Sequence, residues 1–242
     1  MRILVISDIH ANLTALKTVL DHAADFDAVW CLGDLVGYGP DPNECIQKVQ
    51  DLPGLLCIMG NHDAAALGHI DTMTFNPEAR TALEWTQKTL FKESISFLKK
   101  LPETIENNNV FLTHGSPRQP VWEYLMDVQT ATINFDHFST PYCFVGHTHL
   151  PVTFTLESGT SSSRLKVPVP NTRINLTPRM IINPGSVGQP RDNDPRAAYA
   201  IYYPEEGIWE YRRIEYDIPS VQARMACENL PARHILRLES GW

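Results

Sequence analysis

The sequence predicts an α/β fold: two packed sheets with helices outside them. Two observations carry this. Short apolar runs alternate with amphipathic stretches through the first hundred residues, and the texture then shifts toward short, alternating segments after residue 150. Strand alternating with helix implies a parallel sheet, and strands following strands imply antiparallel pairing.

The elements can be taken in order. The runs "ILVIS" (3–7), "AVWCLG" (28–33), "LLCIMG" (55–60), "NVFLTHG" (109–115), "YCFVGH" (142–147) and "MIINPG" (180–185) read as buried strands. "NLTALKTVLDHAA" (12–24) places Leu13, Leu16, Val19 and Leu20 on one helical face, with Asn12 as its N-cap. "PNECIQKVQDL" (42–52) opens with proline at a first helical position. Two more helices are read over 76–91 and 93–101, with Phe91, Phe97 and Leu98 packing internally. "PVTFTLE", "RLKVPV" and "TRINL" are short strands. "ESGTSSSR" (157–164) is a hairpin tip, and residues 197–218 form a hairpin turning at Glu205–Gly207. A helical tail closes the chain. The whole is read as one domain, 1–242, with 219–242 as a helical extension; residues 197–242 pack on their own domain or form a dimer contact.

Composition narrows the function. A formal net charge of −8 repels nucleic acid and anionic membranes, so neither is expected as a partner. It would also repel a phosphate, unless something local reverses the sign. The five cysteines form no CxxC pair, and Cys31, Cys57 and Cys143 lie in apolar runs, which reads as reduced, buried thiols. The start, "MRILVISDIH", is a strand and not a signal peptide, and no apolar run approaches the roughly 20 residues that span a bilayer. A cytoplasmic protein is expected.

The residues just after each strand carry the chemical signal. "SDIH" contains Asp8 and His10, "LGDL" Asp34, "MGNHD" Asn61 and His62, "LTHG" His114, and "VGHTH" His147 and His149. Functional groups of α/β sheets collect at the carboxyl ends of strands. Taken singly, each Asp is a turn former or helix cap, and each His a surface or core residue. Jointly, five of nine histidines fall in these blocks, while His22, His69, His137 and His234 lack that context. In an extended chain, Asp8-x-His10 and His147-x-His149 would each point two side chains one way. Oxygen and imidazole ligands without thiolate favour manganese, iron, cobalt or zinc over a structural zinc site. The ligands exceed one ion's needs. Two cations sharing a carboxylate would reverse the local charge and suit in-line displacement at phosphorus.

These blocks, in order, resemble the signature of the calcineurin-like metallophosphoesterases: Asp8-x-His10, Gly33-Asp34, Gly60-Asn61-His62-Asp63, His114 and Gly146-His147-x-His149. The resemblance implies a four-layer α/β/β/α sandwich of two mixed sheets. It implies one metal on Asp8, His10, Asp34 and His149, and a second on Asp34, Asn61, His114 and His147. It implies two divalent ions, manganese first and iron, zinc, cobalt or nickel as alternatives, with His62 as the catalytic acid. The serine/threonine protein phosphatases carry GDxVDRG where this chain has "GDLVGYG", so Gly37 and Tyr38 replace the Asp and Arg used there. The pattern is closer to small prokaryotic phosphoesterases related to asymmetric diadenosine tetraphosphate hydrolases, which tend to carry "GDxVGYGP" and "NPGSVGQPRD".

Arg191 is a candidate phosphate ligand, or else pairs with Asp192 or Asp194. Tyr38 stacks on a base, or else packs. The expected activity is hydrolysis of small phosphodiesters or nucleotide polyphosphates by a hydroxide held between the metals. Phosphomonoester or phosphoprotein hydrolysis is the alternative, and a non-catalytic scaffold a further one.

Overall fold

The computed structural model describes residues 1–242. Strand β1 (Ile3–Ile6) leads to α1 (Leu13–Ala23), β2 (Ala28–Cys31), α2 (Pro42–Gln50), the two-residue β3 (Leu56–Cys57) and α3 (Asn61–Ala66). Helices α4 (Pro77–Thr89) and α5 (Lys92–Leu98) precede the hairpin β4 (Thr104–Asn107) and β5 (Val110–Thr113). Then come α6 (Val128–Asn134), β6 (Tyr142–Phe144), β7 (Val152–Thr155), β8 (Arg164–Lys166), β9 (Thr172–Asn175) and β10 (Met180–Asn183). The hairpin β11 (Ala197–Tyr203) and β12 (Ile208–Ile214) and the helices α7 (Ile218–Cys227) and α8 (Ala232–Ser240) complete the chain.

The strands form two mixed six-stranded sheets, in the orders β3-β2-β1-β11-β12-β9 and β4-β5-β6-β10-β7-β8. In the first, β1, β2 and β3 run parallel, with Leu4 opposite Val29 and Cys31 opposite Cys57. In the second, β5, β6 and β10 run parallel, with Leu112 and Ile182 both opposite Phe144. Each sheet thus has a parallel trio, and the candidate blocks lie just past the ends of these strands.

Alternation along the strands builds the layers. Ile3 and Val5 of β1 join Trp30, Leu112, Phe144, Ile182, Ala200 and Trp209 in a core between the sheets. Leu4 and Ile6 face the other way, against Leu16 and Val19 of α1 and Ile46 and Val49 of α2. On the far side, Cys143, Phe154 and Ile181 pack against Ala131 of α6 and Phe135. Helix, sheet, sheet, helix is the order of layers. Burying all four side chains of β1 removes it from solvent on both faces, as a central parallel strand requires.

Local chemistry sets the helix starts. Asn12 Oδ1 accepts from the Ala15 amide at 3.0 Å, and Asn76 Oδ1 from Ala79 at 2.9 Å. Helices α7 and α8 do not stand apart. Val221, Met225, Leu230 and Leu238 pack with Ala79 and Ala82 of α4 and with Tyr38. No helix is long and apolar enough to cross a membrane. Cys31, Cys57 and Cys143 are buried free thiols, as their apolar contexts imply.

One reading needs correction: Phe91 is 60% exposed, because it caps α5 from outside, whereas Leu98 is buried. Helix α3 begins at Asn61, so the "NHD" block opens a helix separated from β3 by three residues. Strand β4 and helix α6 were also not legible, since neither carries an apolar periodicity long enough to register.

Candidate metal centre

The candidate residues converge through left-handed turns, not through strand alternation. Asp8 (φ +53°), His10 (+47°), Asp34 (+55°), His147 (+67°) and His149 (+59°) all lie at positive φ. The expectation of an extended Asp-x-His is therefore overturned. An extended chain would carry the second side chain onward along the strand, whereas the left-handed turns fold the backbone back across the strand ends. Each such residue costs roughly 1–3 kcal/mol unless its surroundings hold it.

The surroundings do hold them. The Asp8 amide donates to the Gly33 carbonyl and the His10 amide to that of Asp34, both at 3.0 Å. The buried Asp63 carboxylate accepts four backbone N–H groups: Gly60 at 3.0 Å, Asp34 at 2.8 Å, Leu35 at 2.9 Å and Val36 at 3.2 Å. It ties the turn after β2 to the start of α3. Burial and the Asp34 charge raise its pKa, and the amide donors oppose them. Gly60 is required where these segments meet, because a Cβ there would lie 2.0 Å from Asp34 Oδ1.

Two clusters form. In one, His149 Nε2 lies 3.4 Å from Asp8 Oδ1 and 3.0 Å from His10 Nε2. In the other, His114 Nε2 lies 3.3 Å from Asp34 Oδ2 and 3.1 Å from Asn61 Oδ1, with His147 beside them. Asp34 Oδ2 joins the clusters, being also 3.6 Å from His10 Nε2. Every one of the seven residues is buried.

The outward nitrogens are committed elsewhere. His10 Nδ1 meets the Val36 carbonyl at 3.0 Å, His114 Nδ1 that of Leu32 at 2.7 Å, and His149 Nδ1 that of Gln189 at 2.5 Å. Each Nδ1–H donates outward, which aims Nε2 inward; at His10 and His149 that nitrogen carries a lone pair. His147 is the reverse: its Nε2 donates to the Trp122 carbonyl at 3.1 Å, so Nδ1 is the free acceptor. Carbonyls behind imidazoles are how metal-binding histidines are oriented.

Charge points the same way. Burial lowers His10 to about 4 and His147 to about 3, and puts His149 well below its ordinary value, so all three are neutral at pH 7. His114 is the exception. Burial works against its charge, but Asp34 and Asp8 raise it to about 10. At Asp34, burial opposes ionisation, and His114, His62 and His10 more than offset it and hold the carboxyl below its ordinary range. Burial raises Asp8 to about 7. A cation held at Asp34 would take over the role of the His114 charge. Asp34 Oδ1 accepts the His62 amide at 2.8 Å, but Oδ2 is buried without a donor. That orphaned oxygen between two sets of imidazoles fits a divalent cation on either side.

His62 also comes within ligand distance, its candidate donor atom and those of His10 and Asp34 all lying within 4.8 Å of one another. Its ring lies 4.8 Å from that of His10, 4.4 Å from Tyr38 and 5.0 Å from Phe75, centroid to centroid. Its Nδ1 is buried without a partner, facing Gly37, where a Cβ would come within 2.4 Å. Burial puts its pKa well below the ordinary value.

Tyr38 is buried against His10, His62 and His234, so packing, not open stacking, is its main contact. Arg191 donates to the Tyr38 hydroxyl at 3.3 Å and to Gln189 Oε1 at 3.0 Å. It pairs with neither neighbouring carboxylate, because Asp192 binds Arg213 and Asp194 binds Arg196.

Sequence reasoning missed the braces. Asn183 Nδ2 donates to the Gly146 carbonyl at 2.6 Å and Ser186 Oγ to that of Asp8 at 2.8 Å, so "NPGSVGQPRD" holds two ligand turns. Asp63 was quoted in a motif but given no role. Phe75, Trp122 and Tyr124 beside the centre went unnoticed, because no spacing marks them.

The calcineurin-like phosphoesterase superfamily domain matches residues 1–207, and the chain belongs to that superfamily. It is a hydrolase of phosphoester bonds. A crystallised metallophosphoesterase from Sphaerobacter thermophilus is 44% identical, with a TM-score of 0.92 over 100% of this chain and 99% of its own. An uncharacterised protein of Methanocaldococcus jannaschii is 37% identical over 237 residues, 95% of this chain and 93% of its own. The symmetrical bis(5'-nucleosyl)-tetraphosphatase of Proteus mirabilis is 28% identical over 125 residues, 49% of this chain and 45% of that enzyme.

Proposed function

We propose that the protein is a dinuclear metal-dependent phosphoesterase acting on small phosphodiesters or nucleotide polyphosphates. Asp8, His10, Asp34 and His149 would hold one divalent cation, and Asp34, Asn61, His114 and His147 the other, with manganese as the first choice. The observation that carries this is the buried, donor-free Oδ2 of Asp34, set 3.6 Å from His10 Nε2 and 3.3 Å from His114 Nε2. Cations bound there supply Lewis acidity, neutralising phosphate charge and lowering the pKa of the attacking water.

The chain's own residues do the rest. His62 enters neutral. Its Nδ1 faces Gly37 with no acceptor, so the proton belongs on Nε2, where the N–H donates a hydrogen bond to the leaving oxygen as charge develops and water supplies that oxygen's proton. Tyr38 packs the imidazole in place of the Asp that orients it in the protein phosphatases. Arg191, free of carboxylates, grips a phosphate oxygen and is itself held by Tyr38 and Gln189. Residues 1–242 work as one domain, with 219–242 as a helical extension closing over Tyr38. The name of the Proteus mirabilis relative supports nucleotide polyphosphates among the candidates.

A screen of dinucleoside polyphosphates, cyclic nucleotides and phosphomonoesters, with manganese or with chelator, tests the reading. Turnover of at least one phosphodiester or polyphosphate that chelator abolishes is expected. Turnover that survives full metal removal would end it.

A further inference from the structure

Aromatic side chains rim the centre on its His147 side. Tyr124 stacks on the His147 ring, centroids 3.8 Å apart and planes at 26°. Trp122 meets Phe75 edge-on at 5.2 Å, and Phe75 meets His62 at 5.0 Å. The neighbouring ligands are buried, yet Trp122 is 38% exposed and Tyr124 47%. Met73 and Met126 are exposed as well. Contiguous apolar surface beside a polar cleft marks a binding site more often than chance exposure does.

These rings are not exposed through looseness. The segment between β5 and α6 lacks regular structure but is pinned. The Glu123 carboxylate accepts from Ser116 Oγ at 2.7 Å, from Asn134 Nδ2 at 2.8 Å and from Arg118. The Arg118 amide donates to Asn134 Oδ1 at 2.9 Å, and the Trp122 carbonyl is fixed by His147. A rigid, half-exposed aromatic pair is preorganised for a flat ligand.

Cationic side chains flank Tyr38. Arg191 has no carboxylate partner there, and Arg237 of α8 has a buried Nε without an acceptor. The Arg191 guanidinium lies over the Tyr38 ring, 5.6 Å from its centroid. A ligand that reaches both sets of side chains needs an apolar plane and several negative charges.

We propose that Trp122 and Tyr124 form a stacking platform for a nucleobase, and that the substrate is a nucleoside polyphosphate whose phosphates extend toward Arg191 and Arg237. The assignment rests on the phosphoesterase reading above. Two substrates separate the ends of the site: adenosine 5'-triphosphate, and inorganic tripolyphosphate, which has no base. In Trp122→Ala the ratio of kcat/KM for the nucleotide to that for tripolyphosphate falls about tenfold, carried by KM, and Trp122→Phe restores it to within about twofold. Calorimetry with a non-hydrolysable adenosine polyphosphate gives a Kd raised about tenfold in Trp122→Ala. An unchanged ratio and an unchanged Kd overturn the platform. So does an equal fall on both substrates, which would make Trp122 a support for His147 alone. A wild-type protein that hydrolyses nothing defeats the phosphoesterase reading, while the calorimetry still decides the platform: no nucleotide binding by wild type overturns it.

Discussion

The centre and its rim are built on opposite terms. The seven candidate ligands are buried, six of them fixed by a second contact to a backbone carbonyl or amide, and five sit on strained left-handed backbone. Phe75, Trp122, Tyr124, Arg191 and Arg237 are partly exposed and come from segments scattered along the chain. The centre stores strain and is braced against it; the rim spends its freedom on contact with solvent and ligand. Chemistry common to a superfamily belongs in the first kind of structure, because geometry must not vary. Substrate choice belongs in the second, where a side chain can change without disturbing the fold.

Substitutions can break or sharpen this contrast, the largest effect first. Asp34→Asn removes charge from the shared oxygen, so metal content measured by plasma spectrometry should fall at both positions. Activity should drop by more than about 100-fold, beyond the usual cost of losing a partner behind a ligand. Retention of two ions would count against sharing.

His62→Ala should keep its metals and lose roughly 100-fold in turnover of an alkyl phosphodiester, with a smaller loss for a good leaving group. Gly37→Ala should move in the same direction, since its methyl would displace the imidazole. Equal losses for both leaving groups would place His62 outside stabilisation of the leaving oxygen.

Asp63→Asn probes the brace without touching a ligand. Two amide donors would face an NH₂ group, and denaturant unfolding should show a loss of about 3 kcal/mol. A loss below about 0.5 kcal/mol would show that the turns hold without it.

The smallest effect concerns His234, buried against Tyr38 on the rim. Burial and Arg237 lower its pKa from 6.5 to about 3. The unfolded chain therefore takes up the proton first, and stability is lost as pH falls from 7 toward 4. Between pH 7.5 and 5.5, His234→Leu should lose roughly 1 kcal/mol less than wild type in denaturant titrations. Parallel losses would mean that His234 is hydrated and titrates normally.

Much of the centre was legible because its residue types are few and its position is set by strand ends. Asp8, Asp34, Asn61, His114 and His147 each come after a run whose burial is plain from its apolar content. The conformation that delivers them was not legible: non-glycine residues at positive φ carry no sequence mark, and alternation predicted the wrong geometry for Asp8-x-His10. Asp63 looked like a third polar residue of a motif, since four amides from separate segments meet it only in the fold. Phe91 read as core from its type, yet it caps a helix in solvent. Trp122 and Tyr124 were unreadable, because an aromatic in an irregular segment has no periodicity to show which way it faces.

The order of strands and helices, the burial of β1, and the ligand types at strand ends are properties of the chain alone, because apolar periodicity and donor chemistry are local. Which imidazole nitrogen faces inward, how Asp34 comes to stand between two clusters, and which aromatic and cationic side chains meet beside them were decided by tertiary contacts. Those depend on carbonyls, amides and rings brought together from distant segments, and no window of sequence contains both partners.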